Sequence, residues 1–208
     1  QKNKYIYFAA LIGFGFLWTG TAYIVQAYRL LQFLDGGTVN LLVCGVYYVC
    51  QAAGIGAVGF LFAKQPMIAS GRALPFWSTV ITVVCAAAAV FLSSIPIIIT
   101  AGVLMNITIG VLSGCYLTRL ATDIPQQRRG IVFGAAYAFG SIGTWLLSLP
   151  MDAKFLWNSF SFYAVAVLAA VSLILLRHLS LPPKQGNNLE QLSPGFGKKI
   201  IWLAAAVL

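Results

Sequence analysis

The chain has 208 residues, of which 60% are hydrophobic and only 8% charged, with a mean hydropathy of +0.89 and a formal net charge of +9. A water-soluble domain of this composition is excluded, because it would expose a very large apolar surface. A basic chain can bind nucleic acid, but its Lys and Arg must then cluster on one soluble face, and here they are dispersed over several loops. We therefore interpret the chain as an integral membrane protein with no nucleic-acid partner in this region.

Six long apolar stretches follow one another along residues 1–176. Each can cross roughly 30 Å of hydrocarbon at about 1.5 Å per residue as a helix, which satisfies its own backbone polar groups. The sequence predicts an all-α membrane protein, a bundle of six transmembrane helices at 5–28, 41–63, 76–92, 95–117, 131–149 and 155–176. The polar segment 177–199 is typical of a cytoplasmic linker, and the apolar residues 200–208 indicate the start of a truncated seventh helix.

The positive charges alternate between loops. If the N-terminus is cytoplasmic, all of the 13 Lys and Arg residues except Arg29 and Lys154 lie on the cytoplasmic side. Such a bias usually sets the orientation of a membrane protein. We predict a multi-pass protein of the plasma (inner) membrane with a cytoplasmic N-terminus.

Four of the spans have a polar face, whereas the third and sixth are almost entirely apolar. In spans one, two, four and five, polar or small residues recur at steps of three and four, which places them on one side of a helix. Because this pattern repeats every three helices, it predicts two three-helix repeats around a polar cavity. The stripes are Thr19, Tyr23 and Gln26; Tyr47, Gln51 and Gly54; Gly102, Asn106, Gly110 and Ser113; and Gly134, Tyr137, Ser141, Thr144 and Ser148.

Gly, Ser and Thr at these spacings also occur where helices pack tightly, without any ligand. Larger polar side chains are costlier to bury, and for them packing and a water-filled cavity are equally compatible with the sequence. The candidate solute-binding residues are therefore Tyr23, Gln26, Gln51, Asn106 and Tyr137.

Ionisable and metal-binding groups are scarce. The sequence predicts that all four acidic residues lie in loops, so that no carboxylate occupies the membrane interior, where proton-driven transporters generally need one. The four cysteines lie within predicted spans at spacings that match neither a disulfide framework nor a metal cluster. We expect no enzymatic activity, no metal and no cofactor. The acidic residues are Asp35, Asp123, Asp152 and Glu190, and the cysteines are Cys44, Cys50, Cys85 and Cys115.

Two segments resemble motifs of the major facilitator superfamily. Residues 123–134, Asp-Ile-Pro-Gln-Gln-Arg-Arg-Gly-Ile-Val-Phe-Gly, resemble the entry into its fifth helix, through Pro125, Arg129, Gly130 and Gly134. The family's Gly-x-Leu-x-Asp-Arg-x-Gly loop aligns at Gly59, Leu61 and Lys64, with Arg72 further on, but Ala63 replaces its aspartate and Pro66 its glycine. The resemblance implies the N-terminal six-helix half of a transporter, whose partner is the C-terminal half of the same protein.

That resemblance also implies a function: secondary active or facilitative transport by alternating access, with a small-molecule solute bound between the halves. A neutral, aromatic and amide-rich cavity favours an uncharged or amphipathic solute, and membrane lipid is the other expected partner. Loss of transport is expected from Asn106→Leu or Tyr137→Leu. The alternative is a transporter-like membrane sensor that passes a signal to a cytoplasmic domain, which the degenerate loop motif and the lack of intramembrane charge also favour.

Overall fold

The computed structural model describes the backbone of residues 2–65, 71–149 and 157–177. In these residues the chain is helical and contains no strand, which confirms the all-α prediction. The predicted linker at 178–199 and the apolar segment at 200–208 lie outside the described residues. The helices are α1 (Lys2–Leu31), α2 (Gly36–Lys64), α3 (Ala73–Phe91), α4 (Ile95–Asp123), α5 (Gln126–Ser148) and α6 (Trp157–Arg177).

Helices α1 to α5 are each long and apolar enough to cross a bilayer. In α6 the described side chains include a shorter apolar stretch, Tyr163–Ile174. Large apolar side chains such as Trp77, Ile131 and Val167 are more than 60% exposed, as expected for groups that face lipid. The chain therefore has the helices of an integral membrane protein.

Several helices extend past the predicted spans: α2 begins at Gly36, α4 ends at Asp123 and α5 begins at Gln126. The prediction that Asp123 lies in a loop is wrong, since it is the last residue of α4. Its carboxylate lies 3.6 Å from the guanidinium of Arg119 one turn earlier, and both side chains are largely buried. A pair four residues apart on one face supports the helix that carries it.

Helix α2 is not uniformly α-helical. It begins at Gly36–Asn40, passes through a π-helical segment at Leu41–Tyr47 and continues as an α-helix over Tyr48–Lys64. The Asp35 side chain caps its start by accepting a hydrogen bond from the Thr38 N–H at 3.0 Å. Hydrogen bonds from the hydroxyl and N–H of Thr38 lower the pKa of the Asp35 carboxyl.

Two arginines close the C-terminal ends of neighbouring helices, where carbonyls lack partners within the helix. Arg29, in the last turn of α1, is buried and donates to the carbonyls of Ala89 in α3 and of Leu92 just after it, at 3.1 and 3.0 Å. At the opposite end of the bundle, Arg129 of α5 donates to the Ile124 carbonyl at the end of α4 at 2.8 Å. Both cations thus join one helix to the end of another.

The most extensive contacts are between α1 and α5 and between α2 and α4. Helix α6 packs on α1, α3 packs on α4, and α1 and α4 meet at the centre of the bundle. Glycines sit where the extensive pairs cross: Gly13 and Gly140 between α1 and α5, and Gly54 and Gly110 between α2 and α4. This packing leaves one side of α2 and α5 exposed, next to the polar faces of α1 and α4.

Candidate functional site

A cavity of about 320 Å³ lies near the middle of four helices. Helices α1, α2, α4 and α5 supply every one of its described lining residues, and α3 and α6 supply none. These are the four spans in which the sequence shows a polar face. The lining residues are Phe16, Thr19, Gly20, Tyr23, Tyr48, Gln51, Ile109, Ser113, Tyr137, Gly140, Ser141 and Thr144.

A chain of amide hydrogen bonds connects the cavity wall to the backbone of α4. Gln51 Nε2 donates to Asn106 Oδ1 at 2.7 Å, and Asn106 Nδ2 donates to the Gly102 carbonyl at 2.8 Å. A carbonyl can only accept, so the last bond fixes the orientation of both amides. Gln51, which lines the cavity, consequently keeps its amide oxygen as an acceptor and the second N–H of Nε2 as a donor.

Three hydroxyls of the cavity wall also donate to backbone carbonyls. Thr19 donates to the Gly15 carbonyl at 2.8 Å within α1. Tyr23 donates to Val43 of the π-helical segment at 3.0 Å, and Thr144 of α5 donates to Leu17 of α1 at 3.3 Å. Because each hydroxyl has a single proton, these bonds leave oxygen lone pairs as the remaining polar function of the three side chains.

Aromatic rings form the apolar part of the wall. Tyr137 is 56% exposed and packs edge-on against Phe16, with ring centroids 5.9 Å apart. The rings of Tyr23 and Tyr48 lie 5.8 Å apart in a tilted arrangement. The cavity therefore combines ring surfaces with a small number of oriented oxygens, a composition typical of small-molecule sites.

Three of the five candidate solute-binding residues, Tyr23, Gln51 and Tyr137, line the cavity. Asn106 is fully buried behind Gln51 and reaches the cavity only through that side chain. Gln26 is also buried, beyond Tyr23, and donates to the Ile98 carbonyl at 2.7 Å. Asn106 and Gln26 therefore join helices together, while the other three form the surface.

Sequence reasoning did not single out Phe16 and Tyr48. Phe16 precedes Thr19 by three residues and Tyr48 precedes Gln51 by three, so both lie on the polar stripes that the helical period predicts. The prediction considered only hydroxyl and amide side chains. Including the aromatic residues that share their helix faces would have predicted Phe16 and Tyr48 as lining residues.

The residues that resemble family motifs lie away from the cavity, and none of them is among its described lining residues. Gly59, Gly130 and Gly134 have open space where a Cβ would be. The Lys64 ammonium sits 4.6 Å from the centre of the Phe60 ring. Pro125 immediately precedes α5 and Arg72 precedes α3, so these positions belong to the helix junctions.

The described residues contain no group of three or more His, Cys, Asp or Glu that could hold a metal ion. No protein-family model, curated protein or solved structure matches this chain.

Proposed function

We propose that the chain is the six-helix half of a membrane transporter of the major facilitator type, which moves a small uncharged or amphipathic solute by alternating access. The observation that carries this proposal is the cavity near the middle of the helices, whose described lining residues all come from α1, α2, α4 and α5. Transporters of this kind hold their solute near the bilayer midplane, at the interface between repeats.

The packing pattern supports two three-helix repeats. If α1, α2 and α3 are matched to α4, α5 and α6 in that order, the contact between α1 and α5 corresponds to the contact between α4 and α2. These are the two most extensive contacts in the bundle. By the same matching, the contact between α1 and α6 corresponds to the contact between α4 and α3, and both pairs of helices pack together. Each main crossing has glycines from both helices. This correspondence is what a pseudo-twofold axis in the membrane plane would produce.

A second wall for the cavity is expected from the C-terminal half of the same protein. Much of α2 and α5 is exposed, including Tyr48 and Tyr137 at the cavity and Phe60 and Trp145 beyond it. In the proposed cycle the two halves rock about the solute so that the cavity opens to one side at a time. Lipid would cover the remaining apolar surface.

The proposed orientation has the N-terminus in the cytoplasm and the protein in the plasma membrane. It is supported by the distribution of Lys and Arg over the loops. Arg29, on the other side, is engaged with the carbonyl ends of α3. None of the described lining residues is acidic, so coupling to protons would have to come from the other half.

The test is uptake by proteoliposomes that contain the intact protein. A panel of radiolabelled probes would include glucose, a neutral amino acid, 2-phenylethanol and 2-phenylethylamine. We expect saturable uptake of at least one probe and at least a tenfold loss of that uptake in Tyr137→Leu, because Tyr137 is part of the exposed cavity wall.

Tyr163→Leu is the matched control. Tyr163 is as exposed as Tyr137, at 64%, but lies on α6 and is not a described lining residue. Its loss should leave uptake unchanged, and both variants should elute as the parent protein does in gel filtration. Binding of a probe without uptake of any would instead favour a membrane sensor, and equal loss in both variants would remove the cavity from the proposal.

A further inference from the structure

The hydrogen bonds around the cavity restrict what it can bind. The hydroxyl groups of Thr19, Tyr23 and Thr144 each donate a hydrogen bond to a backbone carbonyl, which uses the only proton that each hydroxyl has to donate. Gln51 faces the cavity with an amide whose nitrogen is held by Asn106. The fixed polar groups are therefore the three hydroxyl oxygens and the Gln51 amide oxygen as acceptors, with the second N–H of Gln51 as the one remaining donor among them.

We infer that the cavity selects a hydrogen-bond donor, an amphipathic amine that is held by its N–H groups. This inference rests on the proposed function and names the solute class for the same site. The amine would donate hydrogen bonds to the amide oxygen of Gln51 and to the hydroxyl oxygens of Thr19, Tyr23 and Thr144. Its apolar part would lie against the rings of Phe16, Tyr48 and Tyr137.

The Gln51 amide is the best-defined of these acceptors. An isolated glutamine could turn its amide and offer either a donor or an acceptor. Here the Gly102 carbonyl holds the Asn106 amide nitrogen at 2.8 Å, and Asn106 in turn holds the Gln51 nitrogen at 2.7 Å. Turning Gln51 would bring two oxygens together, so the contact between α2 and α4 fixes Oε1 as the free acceptor of this amide and leaves one N–H of Nε2 beside it.

The remaining groups of the wall are compatible with an amine and unfavourable to an anion. None of the described lining residues is Lys, Arg or His, so no cation is available there to pair with a carboxylate or phosphate. None is acidic either, so an ammonium group would be held by the oxygen acceptors and ring faces and not by a carboxylate. Ring faces attract an ammonium group electrostatically. The hydroxyls of Ser113, Ser141 and Tyr137 are uncommitted within the described residues and can accept as readily as donate.

A series of three probes with one aromatic ring separates donor recognition from charge. The probes are 2-phenylethylamine, its N,N,N-trimethyl derivative, which has the charge but no N–H, and 3-phenylpropionate, which can only accept. Binding would be measured by isothermal titration calorimetry on the purified intact protein. A charge-assisted hydrogen bond is lost in the trimethyl probe, so we expect the primary amine to bind about tenfold more tightly or better. We expect no detectable binding of the carboxylate.

Gln51→Met tests the residue directly, because Met has a similar length but offers no oxygen. We expect it to weaken binding of the primary amine about tenfold and to leave the trimethyl probe unaffected. Gln65→Met is the matched control, since Gln65 is exposed just beyond the end of α2 and is not a described lining residue. It should change the affinity of neither probe.

Two outcomes would overturn the inference: equal or tighter binding of the trimethyl or carboxylate probe, or an unchanged amine-to-trimethyl ratio in Gln51→Met. Failure of the proposed function has a different signature. In that case the amine would bind with the expected selectivity, yet no probe would accumulate in proteoliposomes.

Discussion

The two main helix crossings are built differently, although both use glycines. Between α2 and α4 the backbones themselves touch: a Cβ on Gly110 would lie 2.9 Å from the Cα of Gln51, and one on Gly54 would lie 2.8 Å from the Val111 nitrogen. Between α1 and α5 the nearest atoms at Gly13 and Gly143 are side-chain ends, Cδ1 of Phe139 and Cδ1 of Leu17, whereas a Cβ on Gly140 would lie 2.6 Å from the Phe16 Cβ, which side-chain rotation cannot move. The first contact is fixed by main chain at both of its glycines, whereas the second can adjust by rotating side chains at Gly13 and Gly143 but not at Gly140.

This difference assigns separate mechanical roles to the two helix pairs. The α2–α4 contact also has the fully buried Asn106 next to it, bonded to Gln51 of the partner helix. Among the described side chains, the one hydrogen bond between α1 and α5 is the 3.3 Å bond from Thr144 to the Leu17 carbonyl, which is partly buried. We expect α2 and α4 to behave as one rigid pair, and adjustments around the cavity to occur between α1 and α5.

The largest expected effect is that of Gly110→Ala. Its methyl group would meet the Gln51 main chain, which cannot move without displacing α2, so we expect a loss of about 3 kcal/mol. Stability would be measured in detergent as the temperature at which the buried Cys85 and Cys115 react with a thiol dye, in a background with Cys44 and Cys50 replaced by serine. An unchanged temperature would contradict the proposed rigidity of this pair.

Asn106→Leu removes the polar bond of the rigid pair while keeping the branched shape of the side chain. The Gln51 amide and the Gly102 carbonyl would each lose a partner inside the bundle. Hydrogen bonds between membrane helices contribute about 0.6 kcal/mol on average and up to about 1.7. The Gln51–Asn106 bond joins two helices and the Asn106–Gly102 bond lies within α4, so we expect a loss of about 1.5 kcal/mol. The same thiol assay applies. A loss as small as that of an exposed substitution would show that the amide chain does not hold α2 to α4.

Gly143→Ala probes the adjustable pair. The added methyl group would lie 2.6 Å from the end of the Leu17 side chain, which can turn away. The gain in helix propensity offsets part of that cost, so we expect a loss of at most about 1 kcal/mol. If Gly143→Ala proved as harmful as Gly110→Ala, the distinction between the two crossings would disappear.

Gly56→Ala gives the smallest effect and the reference for the series. Gly56 lies on α2 two residues from Gly54, but nothing lies within 4 Å of the position its Cβ would take. Stability should be unchanged or rise by at most about 1 kcal/mol, as for an exposed helical glycine. A clear loss in the intact protein would instead reveal a closely packed partner on the exposed face of α2.

Much of the architecture could be predicted because it depends on local properties. The length of an apolar stretch and a period of three to four residues are visible in the sequence, and they locate the helices and the polar faces of α1, α2, α4 and α5. Thr19, Tyr23, Gln51 and Tyr137 accordingly meet at one cavity.

Which part of a polar stripe reaches the cavity could not be predicted. Gln26 lies on the same stripe as Thr19, but about 10 Å further along the helix, where Ile98 of α4 and Tyr47 of α2 cover it. Asn106 shares its stripe with Ser113, yet the close approach of α2 at Gly110 encloses it. Both outcomes depend on neighbouring helices that are distant in sequence, and local periodicity contains no information about them.

Because α2 contains the π-helical segment Leu41–Tyr47, its first part should tolerate the deletion of a residue better than its second part. A π-helix accommodates more residues per turn than an α-helix, so a one-residue deletion there could be absorbed by a return to α-helical geometry. The register of Tyr48–Lys64 against α4 would then be preserved. The same deletion between Gln51 and Gly54 would turn one of them by about 100° and separate Gly54 from Gly110. Insertions and deletions in natural variants of this protein should therefore be concentrated before Tyr48 and be rare after it.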